Sequence, residues 1–164
     1  VKTSYDLLEM MVKAVSLNGN FVLNFGPDGK GNIRSEETKL AKEIGDWMKI
    51  NKEAIYGTSH STVQKQDWGY FTQKGNKLYM CVFNRPINNL LKIEIPKGGI
   101  IPMKAYFLEN NQETEIQNAG KNKRNSSLYH VAVPASYKTD RPFVIVLEMQ
   151  ENTKEEGEYQ QAKI

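Results

Sequence analysis

Phe21-Val22-Leu23-Asn24-Phe25 is a five-residue run with apolar side chains on both of its alternating faces. A strand of that kind belongs inside a parallel sheet covered on each side, because a half-exposed strand would show a polar residue at every second position. Two stretches in helical period frame it. Upstream, Leu7, Leu8, Met11, Val12 and Val15 fall on one stripe behind Ser4, the expected N-cap. Asn18-Gly19 ends that helix, since both residues tolerate a left-handed backbone. Downstream, Gly26-Pro27-Asp28-Gly29-Lys30-Gly31 reads as a turn and Ser35 as the cap of a second helix. Glu36 and Glu37 stand where the helix dipole favours anions, and Leu40, Ala41, Ile44, Trp47 and Met48 make the apolar stripe.

A strand buried on both faces needs a neighbour along each edge, and residues 1–58 supply none. Parallel neighbours arrive as further strand–helix units of about 30 residues each. The backbone hydrogen bonds of 21–25 therefore have nowhere to go within this stretch. Residues 1–58 are accordingly expected to be an α/β remnant of a larger domain, with one strand and its two flanking helices.

From residue 63 the period changes from helical to strand. Leu91, Ile93 and Ile95 alternate with Lys92 and Glu94, the pattern of a strand with one wet face. The same alternation is expected of Ile101, Met103, Ala105 and Phe107, of Tyr129, Val131 and Val133, and of Phe143, Ile145 and Leu147. Leu78 to Phe83 is apolar on both faces and reads as a central strand. Trp68-Gly69-Tyr70-Phe71 precedes it across a Gln73-Lys74-Gly75-Asn76 hairpin. About seven short strands without helical pattern argue for an antiparallel sandwich over 59–150. Residues 151–164 are charged and nearly free of apolar side chains, and are expected to be a disordered polar tail.

Composition excludes several classes of function. The chain has 164 residues, 39% apolar and 25% charged, with 22 basic and 19 acidic side chains for a net charge of +3. No apolar run nears the roughly 20 residues of a membrane span. The densest basic cluster, Lys121, Lys123 and Arg124, has no interleaved aromatic residues and reads as a solvated loop, so no nucleic-acid partner is expected. Cys81 is the only cysteine, so no intrachain disulfide forms. Val1 is not preceded by an export signal within this sequence.

Most candidate chemistry resolves to structure. The turn at 26–31 lacks the Gly-Lys-Ser/Thr of a phosphate loop, and Lys30 and Lys39 occupy ligand positions of a calcium loop. His60 and His130 stand 70 positions apart with no zinc-like spacing, and no G-x-S-x-G elbow serves a serine nucleophile. Asn125-Ser126-Ser127 fits a glycosylation sequon of three residues, a pattern common by chance. Trp68, Tyr70 and Phe71 could in principle stack on a sugar, but alternation on a strand turns at least one of them to the core, which favours the core reading. Position leaves one candidate. In a (β/α)8 barrel the working groups stand at the C-terminal ends of the strands, which would make Asn24 and Phe25 a pocket rim. An amide inside an apolar run also serves to satisfy neighbouring polar groups, and both readings of Asn24 stand.

The residues resemble the C-terminal portion of a glycoside hydrolase family 29 α-L-fucosidase. The resemblance lies in Val12-Lys13-Ala14-Val15-Ser16, in Asn18 to Pro27, and in Gly31-Asn32-Ile33. It resumes in Glu43 to Asn51 and in Glu53-Ala54-Ile55-Tyr56-Gly57-Thr58. Two turns depart from the family, with Lys30 where Asp is usual before Gly and Lys52 where Gly is usual after Asn. The resemblance implies the last strand and flanking helices of a catalytic (β/α)8 barrel, followed by an all-β sandwich. It implies a retaining exo-glycosidase that removes terminal α-L-fucose from fucosylated glycans, without cofactor or metal. Its nucleophile and acid/base would lie on earlier barrel strands, so no catalytic residue is assigned in this chain. The missing barrel portion is the expected protein partner, a homo-oligomer is expected from the unpaired edges of the 21–25 strand, and the expected location is periplasmic, secreted or lysosomal. The alternative is a non-catalytic carbohydrate-binding or structural sandwich, which an exposed aromatic patch on a sheet face would favour.

Overall fold

A computed structural model describes residues 2–19, 35–98 and 100–151. The strand expected at 21–25, the turn at 26–31 and the tail from 152 onward lie outside the described residues.

Helix α1 spans Ser4–Ser16 and α2 spans Ser35–Asn51, followed by a 3-10 turn at Lys52–Ala54. Thr3, rather than Ser4, caps α1. Its hydroxyl accepts from the Asp6 amide at 3.2 Å while the Asp6 carboxylate accepts from the Thr3 amide at 3.1 Å. A threonine three positions ahead of an acid satisfies two orphan amides at once, which Ser4 has no acid placed to do. Asn18 takes the left-handed backbone, φ 61°, expected past the helix end.

Among the described residues nine strands follow: β1 (Ser59–His60), β2 (Gly69–Lys74), β3 (Lys77–Val82), β4 (Leu90–Ile95), β5 (Ile100–Phe107), β6 (Glu113–Thr114), β7 (Ile116–Lys121), β8 (Ser127–Ala132) and β9 (Phe143–Glu151). That is two more than expected, because β1 and β6 are pairs of residues too short to show alternation. They form two antiparallel sheets, one of six strands ordered β1-β2-β3-β9-β5-β6 and one of three ordered β4-β8-β7. β3 is central, as its apolar run predicted. The β2–β3 turn is tight, with Lys74 paired to Lys77 and Gly75 at φ 59°.

The large sheet has two apolar faces. One packs on the small sheet through Phe71, Leu78, Met80, Ile93, Phe107, Val131 and Ile145. The other packs on the helices, joining Leu8, Val12, Ile44, Trp47 and Ile55 to Tyr79, Cys81, Phe83, Val144 and Val146. This second layer corrects the reading of Phe143, Ile145 and Leu147 as a strand with one wet face. Val144 and Val146 are also buried, because helices cover the side that would otherwise meet water. A second correction concerns β5, where a register shift between Pro102 and Lys104 turns Met103 outward to 55% exposure. β6 pairs only Ala105 and Tyr106, so the stretch before them has an unpaired outer edge. A proline, an irregularity and a lysine there discourage pairing with another chain.

Gly69 is dictated by close approach. A Cβ at this position would sit 2.0 Å from the Cys81 carbonyl oxygen across the β2–β3 pair. Beside it, the Trp68 indole donates to the Lys92 carbonyl at 2.9 Å and occupies part of the open edge of β4.

Candidate functional site

Asn24 and Phe25, the two residues expected at a pocket rim, lie outside the described residues. What the structure does place is the junction carrying the segment Glu53 to Thr58. Its chemistry is that of a fastening. The Tyr79 hydroxyl donates to the Glu53 carboxylate at 2.6 Å, and the Lys77 ammonium stands 3.8 Å from the same oxygen. Ala54 is fully buried, and its carbonyl accepts from the Thr72 hydroxyl at 2.7 Å. The Thr58 hydroxyl donates to the carbonyls of Ile55 and Ala54 and closes the turn. Tyr56 projects outward at 66% exposure. The segment therefore ties the end of α2 to the middle of the large sheet. α1 is tied to the same sheet by the Tyr70 hydroxyl, which donates to Glu9 at 3.1 Å, and by the Tyr5 hydroxyl, which donates to the Phe83 carbonyl. Burial, with Glu53 beside it, holds the Tyr79 phenol well above its ordinary value.

The aromatic trio divides as alternation requires. Trp68 and Phe71 lie between the sheets, Tyr70 lies under the helices, and all three are buried, so they form no sugar platform. The outer face of the small sheet pairs Leu90 with Ala132, Lys92 with His130 and Glu94 with Leu128. No Phe, Tyr or Trp stands among these pairs. His130 is half-buried there, opposite Lys92 and Gln117. His60 is exposed on β1, and the two histidines are on different sheets. Lys121, Lys123 and Arg124 are exposed around the β7–β8 turn, with Asn125 at its tip. Cys81 is fully buried, and burial pushes its thiol up to about 12, which leaves it unreactive near neutrality. Among the described residues no three His, Cys, Asp or Glu side chains gather where they could hold a metal.

Among the described residues two concavities exceed the space of a single water, while a third beside Trp47, Glu109 and Tyr137, of about 20 Å³, does not. One of about 240 Å³ opens at the end of the sandwich over Val63, Leu78, Ile95, Pro96 and Met149, with Lys97 and Gln73 at its edge. A second, of about 160 Å³, lies between the end of α1 and β2, lined by Lys13, Ser16, Lys65, Tyr70 and Phe71. Neither lining contains a carboxylate, so neither supplies the acid and base of a glycosidase. One feature escaped the sequence reading altogether, the loop Asn84–Asn89, which Arg85 fastens to distant carbonyls. An arginine beside proline and asparagines carries no periodic signal.

Comparison with known proteins gives a consistent result. Residues 1–53 match the model of the α-L-fucosidase family. An α-L-fucosidase of Dictyostelium discoideum is 36% identical over 98 residues, 57% of this chain and 21% of that protein. A crystal structure of a GH29 α-L-fucosidase from Bacteroides thetaiotaomicron, a trapped covalent intermediate with 2-fluoro-fucosyl fluoride, aligns at TM-score 0.81 and 38% identity. That alignment covers 92% of this chain and 33% of that one. α-L-Fucosidase isoenzyme 1 from Paenibacillus thiaminolyticus aligns at TM-score 0.75 and 32% identity, over 92% and 35% of the two chains. The chain thus spans about a fifth of the curated relative and about a third of the solved structures.

Proposed function

From a chain that corresponds to part of a glycoside hydrolase family 29 α-L-fucosidase, we propose that the intact protein is a retaining exo-α-L-fucosidase acting on terminal fucose of glycans. In this reading residues 1–58 close its catalytic barrel and 59–150 form the sandwich beside it. The observation that carries the proposal is continuity. The likeness to a fucosidase structure runs through 92% of the chain, across helices and sheets together. The helices also offer a flank for the rest of a barrel, since Met10 on α1 and Leu17 just past its end are exposed and Leu7 and Met11 only half-buried.

Double displacement needs a carboxylate nucleophile and a carboxylic acid/base about 5–5.5 Å apart. Both belong to barrel strands outside this chain. The covalent intermediate trapped in the Bacteroides thetaiotaomicron relative is the species such a mechanism passes through. Asn24 and Phe25 then stand at the C-terminal end of the closing strand, at the rim of the fucose pocket. The sandwich serves as a structural support rather than a glycan-binding module, a role supported by the lack of Phe, Tyr and Trp among the outward pairs of its small sheet. Export to the periplasm, outside the cell or to a lysosome is where such substrates would be met.

The test is hydrolysis of a chromogenic α-L-fucoside by the product of the intact reading frame and by residues 1–164 alone. The full product is expected to turn over with retention of configuration and the 164-residue chain to be inert. Turnover by the shorter chain would overturn this account of where the carboxylates lie. Inactivity of the full product on every fucoside would overturn the function.

A further inference from the structure

Ile87 is exposed to 104% of its reference surface, against 72% for Leu17, the next most exposed large apolar residue among those described. A lone exposed aliphatic is ordinary on any surface. What sets this one apart is that the residues on both sides of it are fastened. The Arg85 guanidinium donates through Nε to Asn89 Oδ1 at 2.8 Å, through Nη2 to the Pro134 carbonyl at 3.0 Å, and through Nη1 to the Tyr137 carbonyl. The Asn89 amide donates to the Pro86 carbonyl at 3.0 Å with Asn89 at φ 59°, and Val133 donates to the Asn89 carbonyl at 2.8 Å. The Leu90 amide donates to Asn88 Oδ1 at 3.1 Å, and the Asn84 amide to the Trp68 carbonyl at 2.9 Å. The conformational entropy of presenting Ile87 is already spent, which is what favours a docking element.

The root of the loop fixes where it points. Phe83 accepts the Tyr5 hydroxyl on its carbonyl and meets the Tyr5 ring edge-on at 5.6 Å. The loop therefore rises beside the first turn of α1. In a (β/α)8 barrel a helix begins at the catalytic face, because it follows its strand there and runs back. We propose that the loop Asn84–Asn89 is a docking arm, and that Ile87 seats in an apolar socket among the strand-to-helix loops of the barrel portion outside this chain. The proposal rests on the barrel reading above. An isoleucine has no donor, acceptor or ring to offer a sugar, so the occupant is the enzyme's own protein surface rather than glycan.

The test uses the full-length protein carrying Ile87→Cys, with Lys123→Cys at the exposed β7–β8 turn as reference and the parent protein as background. Maleimide labelling at position 87 is expected to be slower than at 123 by about ten-fold, as a population docked nine-tenths of the time would give. Equal rates overturn the proposal. Ile87→Asp provides an independent reading, because a socket excludes the charge. It lowers the thermal midpoint of the full-length protein where Lys123→Asp does not, and an unchanged midpoint also overturns the proposal. Fucoside hydrolysis separates the two ideas. A protected thiol in an inactive protein removes the proposed function and leaves the arm, and a freely reacting thiol in an active enzyme does the reverse.

Discussion

Replacing Trp47 with alanine should unfasten the helices and destabilise the sheets at the same time. The indole is 1% exposed in the layer between α2 and the large sheet, and its Nε1 donates to the Pro142 carbonyl at 2.9 Å, 95 positions away. Truncating a buried Trp to Ala costs about 3–5 kcal/mol. Trp47→Phe keeps much of the ring but leaves the Pro142 carbonyl unpaired, for a loss of about 1–2 kcal/mol. At roughly 2–4 °C per kcal/mol, the alanine variant should melt roughly 6–20 °C lower. The assay is urea unfolding followed by helical circular dichroism and by fluorescence of Trp68, the tryptophan that remains of the two. Helix and sheet share one apolar layer, so the two signals should move together to lower urea. A helical signal lost early while Trp68 stays native would show that the helices fold as a separate unit and refute the reasoning. A loss under about 1 kcal/mol for Trp47→Ala would refute the burial argument.

Gly69→Ala should cost about 3 kcal/mol or more, because a methyl 2.0 Å from the Cys81 carbonyl oxygen forces β2 and β3 apart; a urea midpoint within error of the parent's would show that the pair yields cheaply. Alkaline pH gives a further check. Burial holds the phenols of Tyr79 and Tyr137 well above their ordinary 10.0, with Glu53 and Glu109 adding to the effect. A group with a raised folded pKa contributes stability that is whole below its unfolded pKa and lost above it, so the thermal midpoint should fall as pH rises past 10.0. Tyr79→Phe should lower stability by about 1 kcal/mol at neutral pH, a modest figure because Glu53 is partly solvated, and should flatten the alkaline fall. A midpoint that holds steady or rises in alkali would contradict this sign.

Much of the architecture was legible in local patterns. Leu8 and Val12 are buried with Leu7, Met11 and Val15 packed around them, as the helical stripe of α1 required. Leu91, Ile93 and Ile95 face inward as their alternation required. The unbroken apolar run of β3 announced a strand with no wet face, and β3 lies between β2 and β9. The segment Glu53 to Thr58 was recognisable as a family signature, yet its work as a fastening could not be read. The partners of Glu53 and Ala54 are Tyr79 and Thr72, which arrive from strands 18 or more positions away.

Periodicity by itself marked both described helices, most of the longer strands and the inward side chains of regular ones such as β4, because backbone geometry places neighbours on a face by counting along the chain. Only the tertiary structure decided what covers each face. Phe143, Ile145 and Leu147 marked one side of β9 as apolar, and nothing local said that α1 and α2 would bury Val144 and Val146 on the other. Arg85 is the extreme case. Its three acceptors at Asn89, Pro134 and Tyr137 lie on the β3–β4 and β8–β9 connections, both of which cross between the two sheets, so only the packed sandwich brings them to one guanidinium.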